Sequence, residues 1–247
     1  TTIGNMLAAL YYLWYFLKKS RRFSLAPKDA LCGTHIAVRV CSAGFPTAIF
    51  SALMCVSTIV LNLILVVYGN APVAAIGIVF KANMFITFLQ MGLANGVQPI
   101  FGYSYGAGDI KRFADTERFT KLCCFVVGLA ATALYFFLRE PIIGLFVGDS
   151  DVITYGVQML IAYMLSGPFI GSLFVNMNCM QSVGRALPAT VLSVLRQGLL
   201  LIPLLYLLNV IAGLNGVIYG QSITDYITII LSCVVWRRIR RGLEQRT

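Results

Sequence analysis

Hydrophobic residues in this chain come in long continuous runs, not in the alternation of a strand or the narrow stripe of a surface helix. The runs 45–67, 73–90, 122–138, 152–175, 186–208 and 217–236 each match the length of a helix crossing a hydrocarbon core of about 30 Å. A slightly shorter run, 3–17, opens the chain. About seven spans are therefore expected. All should be helical, because a helix satisfies its own backbone groups in lipid.

Polar residues inside these runs fall on helical faces. Thr47, Ser51, Cys55, Thr58 and Asn62 recur every three or four residues, as do Asn83, Thr87, Gln90, Ala94 and Gln98. Gly167, Gly171, Phe174, Asn178 and Gln181 form a third set, and Gln221, Asp225, Thr228 and Ser232 a fourth. Small polar residues are ordinary glue between membrane helices. The amides of Asn62, Asn83, Gln90, Gln98, Asn178 and Gln181 offer more donors and acceptors than glue requires, and aligned stripes of them point to a shared hydrated cavity.

Three ionisable residues lie at membrane depth: Lys81, Arg196 and Asp225. Each costs about 2.5–3.5 kcal/mol to insert alone. The expectation is that Arg196 and Asp225, or Lys81 and Asp225, meet inside the bundle, as a structural ion pair or a titratable gate. Pro99, Pro168 and Pro203 lie in or near span interiors, where each removes a backbone hydrogen bond and permits bending.

Composition agrees with lipid as the surrounding solvent. The 247 residues are 59% hydrophobic and 11% charged, well under half the roughly 25% charge of a soluble domain. A net charge of +10 suggests nucleic acid until its placement is considered. Lys18, Lys19, Arg21, Arg22 and Lys28 follow the first run, Lys111, Arg112, Arg118 and Lys121 the third, Arg185 the fifth, and Arg237, Arg238, Arg240, Arg241 and Arg246 the last. The opposite loops carry Asn70, then Arg139 with Glu140, Asp149 and Asp151, then Asn209. Basic loops alternating with non-basic ones orient a multi-pass protein, placing its C-terminus in the cytoplasm of a cell-membrane protein. Seven cysteines without a C-x-x-C pair, and the single histidine His35, suggest no metal site and no cofactor. No catalytic constellation is present, so the chain reads as a non-enzyme. Thr1 is not methionine, and the chain reads as a fragment beginning within a span.

The block from Gly92 through Gln98-Pro99 to Gly102, Gly106 and Gly108 looks at first like a phosphate loop. It matches neither the P-loop nor the dinucleotide pattern. With Gly77-Ile-Val-Phe-Lys81 before it and Lys111-Arg112 after it, the block resembles the eighth helix and following loop of the multidrug and toxic compound extrusion (MATE) family. Gly44-Phe45-Pro46-Thr47 resembles the entry to that family's seventh helix. Asn178 to Arg185 resembles the end of its tenth, and Leu195-Arg196-Gln197 with Ile202-Pro203-Leu204 its eleventh.

The resemblance implies an all-α integral membrane fold of two six-helix lobes around a central cavity. This chain would be the C-terminal lobe at 44–236, preceded by the last helix of the N-terminal lobe at 1–17 and a cytoplasmic linker at 18–43, and followed by a basic tail at 237–247. The implied function is antiport by alternating access, exporting organic, often cationic, drug-like compounds in exchange for H+ or Na+. The implied partners are that substrate, the bilayer and the missing N-terminal lobe. Members that hold their cation with acidic residues in the seventh and tenth helices differ from this chain, which has no Asp or Glu at 45–68 or 152–181. Asp225 is the acidic residue left at membrane depth. Rival readings are a lipid-linked substrate flippase of related architecture and a non-transporting scaffold or channel subunit.

Overall fold

The computed structural model describes residues 2–19 and 34–244. Most of the expected linker (20–33, with Arg21, Arg22, Lys28 and Cys32) and the end of the tail (245–247, with Arg246) lie outside the described residues.

The described residues are helices joined by short turns, without a strand. The elements are α1 (Thr2–Lys19), α2 (Thr34–Val66), α3 (Asn70–Gly106), α4 (Ile110–Phe137), α5 (Arg139–Gly144), α6 (Ser150–Met164), α7 (Gly167–Ser182), α8 (Ala186–Val194), a π turn (Leu195–Leu199) and α9 (Leu201–Glu244). Two compact units divide within α2, Thr1–Pro46 and Thr47–Thr247. In the first unit, the described side chains of α1 are all exposed, Tyr11, Tyr12 and Trp14 among them.

The second unit holds the bundle. The glycine block 92–106 is the end of α3, not a loop; α3 runs unbroken through Pro99 to Gly106. The turn comes at Gly108, whose φ of +71° suits glycine, and Asp109 then caps α4 by accepting from Arg112 N at 2.9 Å.

α9 is two limbs. At Gly213 (φ 56°, ψ −138°) the chain leaves the helical region. A Cβ on Gly220 would lie 2.8 Å from Leu205 Cδ2, although fifteen residues of straight helix span about 22 Å. The limbs 201–212 and 214–244 are therefore an antiparallel hairpin, matching the expected runs 186–208 and 217–236.

Among the described residues, three helices are long and apolar enough to cross a membrane: Asn70–Gly106, Ile110–Phe137 and Ala186–Gly242, the last of which doubles back at Gly213. The run 152–175, expected as one helix, is broken instead. α6 and α7 meet at a 46° bend and pass the same length and apolarity test together. Ser51–Val66 is a shorter apolar helix.

Two apolar cores stabilise the unit. One joins Leu61, Leu65, Ile76, Val79, Ile86, Met159, Leu160, Leu205 and Ile218; the other joins Ala94, Phe101, Phe113, Val175, Met180, Leu192 and Trp236. Along α3 the first ends at Ile86 and the second begins at Ala94; along α9 they are separated by 219–235. Buried Gln90 lies in the first gap, and Ser222, Thr224, Asp225, Thr228 and Ser232 in the second. A polar layer thus crosses the bundle between its two greasy halves.

Candidate functional site

The site is built on two breaks in helical hydrogen bonding. The first lies between α6 and α7, where Gly167-Pro168 follows Leu165-Ser166. Pro168 sits in the first turn of α7, where its missing N–H costs nothing. Ending a helix inside a membrane frees carbonyls that water cannot reach, so each needs a partner from the protein. Ser222 Oγ donates to Ala162 O and Thr132 Oγ1 to Met164 O at 3.4 Å, while Tyr163 O lies 3.3 Å from Ser166 Oγ. Tyr226 OH donates to Leu165 O at 2.6 Å, and Gln90 Nε2 to Gly167 O at 2.9 Å. Side chains of α3, α4 and α9 therefore hold the bend open.

The second break is the π turn carrying Arg196 and Gln197. Pro203 cannot donate to the carbonyl four residues back, and its ring crowds that position. Upstream the ladder loosens by one residue, so that Leu200 N donates to Leu195 O, five residues back, at 2.9 Å. Ser57 Oγ on α2 donates to Gln197 O. Gly198 lets Leu53 approach, since a Cβ there would lie 2.8 Å from Leu53 Cδ2.

The two breaks meet at Asp225. Arg196 Nε donates to Asp225 Oδ1 at 2.7 Å, with the two side chains 15% and 5% exposed. Gln221 Nε2 reaches the same oxygen at 3.2 Å, and Ser166 Oγ donates to Oδ2 at 3.0 Å. The guanidinium also lies over the Phe174 ring, 5.9 Å from its centroid. Burying two unpaired charges costs several kcal/mol each, and this geometry offsets much of that. The centre is thus an ion pair tied to both helix breaks, to the bend through Ser166 and to the π turn through Arg196 itself.

The other expected site residues are distributed differently. Lys81 is exposed and does not reach Asp225; Arg196 occupies that place. Gln90, expected on a hydrated wall, is fully buried and bound to the bend. Asn62 is half-buried and donates to Thr58 O of its own helix, while Asn83 is half-buried. Pro203 stands in the first turn of α9 and not at a kink of its own. The remaining amides come together: Gln98 Nε2 donates to Gln181 Oε1 at 3.2 Å, and Asn178 Nδ2 to Asn95 Oδ1 at 3.0 Å. These two pairs lace α3 to α7.

Gln98→Leu, losing a neutral and partly wet bond, is expected to cost within about 1 kcal/mol. Gln90→Leu loses a fully buried bond between α3 and the bend and should cost about 1.5 kcal/mol. Thermal unfolding of the two variants in one detergent checks the order; equal losses would place Gln90 outside the bend's support.

Residues 46–207, well over half of the chain, match the family described as MatE. The chain belongs to that family. Among curated relatives, the MatE chain is 29% identical to multidrug export protein MepA of Staphylococcus saprophyticus over 243 residues, 98% of this chain and 53% of that protein. It is 30% identical to MepA of Staphylococcus aureus (strain MSSA476) over 247 residues, covering all of this chain and 54% of that protein. The MatE chain thus spans about half the length of the curated relatives it matches.

Solved structures show the same fold. A MATE in complex with MaL6 matches with a TM-score of 0.82 at 16% identity, over 99% of this chain and 56% of its own. Inward- and outward-facing multidrug resistance MATE family transporters of the MOP superfamily match at 0.83 and 0.79, with 17% and 18% identity. The inward-facing match covers 99% of this chain and 57% of that one; the outward-facing match covers 100% and 56%. The MatE chain is accordingly a multi-pass membrane protein of all-helical fold.

Proposed function

We propose that this chain is the C-terminal lobe (44–236) of a proton-coupled antiporter that exports organic, drug-like compounds by alternating access. The run 1–17 is the last helix of an N-terminal lobe, 18–43 the cytoplasmic linker, and 237–247 a cytoplasmic tail. The carrying observation is the buried Arg196–Asp225 pair at the junction of two helix breaks. Transporters that work by rocking form their substrate and coupling-ion sites at discontinuous helices near the bilayer midplane.

H+ is favoured over Na+ because both carboxylate oxygens already accept protein donors: Arg196 and Gln221 on Oδ1, Ser166 on Oδ2. A hard cation seeks about six oxygen ligands, whereas a proton needs one lone pair. Protonation removes the attraction to Arg196 and shifts the balance between two arrangements of the lobes. The likeness to both inward- and outward-facing relatives supports a lobe that keeps its shape as the two halves rock. Gln98 and Gln181 supply hydrogen bonds to substrate or cavity water, buried Asn178 holds α7 to α3 behind them, and exposed Met84, Phe85 and Met91 supply adaptable apolar contact.

Cells expressing the complete two-lobe transporter should retain less of a cationic dye than cells lacking it. A protonophore should raise retention to the level of the lacking cells, while removing sodium should leave it unchanged. Equal retention with and without the transporter would overturn the exporter reading, and loss of export on removing sodium would overturn the choice of ion.

A further inference from the structure

We propose that Asp225 exchanges its proton with the cytoplasm through the interior of this lobe, along a buried file that runs past Thr228, Ser232 and Asn176 to Glu117. This rests on the reading of Asp225 as the coupling group, and adds a route and two residues to it.

The file begins on one face of α9. Asp225, Thr228, Ser232 and Trp236 follow one another at intervals of three or four residues, and all are buried. Opposite them stand Ser166 at the bend, Asn176 on α7 and Glu117 on α4. Asn176 Nδ2 donates to Ser232 Oγ at 3.0 Å. Glu117 Oε1 accepts from Trp236 Nε1 at 2.8 Å and from Lys121 Nζ.

Interhelical glue explains a polar stripe when donors and acceptors pair off. Here acceptors are left over. Asn176 is 0% exposed and Glu117 4%, yet Asn176 Oδ1 and Glu117 Oε2 have no hydrogen-bond partner among the described residues. Glu117 Oε2 is ion-paired with Arg240 Nη1 at 3.6 Å, too far for a hydrogen bond, so its lone pairs take no direct donor. The Thr228 and Ser232 hydroxyls spend their protons on Thr224 O and Ile229 O, both at 2.8 Å, so toward the file they offer lone pairs. A surplus of acceptors suits water and a hydrated proton, which donate.

The spacing suits them too. At 1.5 Å per residue, the axial steps from 225 to 228, 232 and 236 are about 4.5, 6 and 6 Å, close to the reach of one water bonded at both ends.

Charged and titratable neighbours bracket both ends. Arg196 from the π turn and Tyr163 from α6 face Asp225; Lys121 of α4, Arg240 of α9 and Cys179 of α7 face Glu117. On release, the Asp225 O–H bond breaks and the proton passes to a water beside Thr228. Each carrier then gives one proton to the next. The last step protonates Glu117 Oε2, which returns the proton to bulk water beside Lys121 and Arg240, whose side chains are 28% and 30% exposed. One proton is delivered and no other bond changes.

The test uses the complete transporter in proteoliposomes. Glu117→Gln keeps an acceptor for Trp236 but cannot carry the proton; Asn176→Leu keeps the volume but closes the file. Each should slow proton-driven drug flux at least ten-fold, read beside an internal pH dye, while drug–drug counterflow without a pH gradient stays at the parent rate. Unchanged proton-driven flux in both would overturn the route. So would an equal fall in counterflow, which would make the residues a structural tie. The paired variant Arg196→Met with Asp225→Asn separates this from failure of the parent reading. If it keeps proton-driven flux, Asp225 is not the coupling group; if it loses that flux while the other two keep it, the route alone fails.

Discussion

Asp225→Asn is expected to abolish proton-driven export and to destabilise the lobe by about 3–5 kcal/mol, the usual cost of breaking a buried ion pair from one side. The cost arises because Arg196 cannot give up its proton and would face an amide in place of the carboxylate now 2.7 Å away. Arg196→Met should cost less, because an unpaired Asp225 can take up a proton and still hydrogen-bond Ser166. Combining the two changes leaves a neutral centre and should recover most of the stability, by the logic of a double-mutant cycle. Export should not recover with it. Thermal unfolding and proton-driven dye efflux on all three variants check the cycle. An exporting double variant would reduce the pair to structural glue.

Gly128→Ala should be nearly as damaging for a different reason. A methyl at 128 would lie 2.7 Å from Gly167 O and 2.8 Å from Pro168 Cα, and would collide with the Gln90 amide. Two of those obstacles are backbone and cannot turn aside. Overpacking costs about 1–3 kcal/mol, and displacing Gln90 also breaks its buried hydrogen bond to the Gly167 carbonyl. A loss of about 3 kcal/mol is expected, measured as a fall in unfolding temperature and in folded protein recovered from membranes. Gly92→Ala is the control, since a Cβ there meets nothing within 4 Å. Equal effects of the two would mean that α3, α4 and α7 do not close as tightly as described.

These two cases also show where the sequence is legible. A charge at membrane depth is conspicuous in any apolar run, so Arg196 and Asp225 stand out without coordinates. Ser57 and Ser166 do not. Their partners, Gln197 O and Asp225, lie 140 and 59 residues away, and a lone hydroxyl in a membrane helix carries no periodic signal. Glu117 escapes for the opposite reason: between Arg112 and Arg118 it looks like solvated surface, and its burial under Trp236, 119 residues on, is a tertiary fact.

Glycines mislead in the same way. The dense block from Gly92 to Gly106 draws the eye, yet an added Cβ in it meets open space, while isolated Gly128, Gly171 and Gly216 sit where helices touch. The break between α6 and α7 hides within an apolar run because side chains of other helices, not local polarity, satisfy its carbonyls.

The π turn has a geometric outcome for everything downstream of it. Ala189 and Leu192 point inward, and at about 100° per residue their azimuth would return at Leu199, Pro203 and Tyr206. Those three face outward, and Leu201 and Leu205 are interior in their stead. One surplus residue has slipped the angular phase of the strut, so that its two ends present inner faces that a uniform screw could not align. Straightening that loop of backbone would screw one end against the other, with Arg196 seated on the thread.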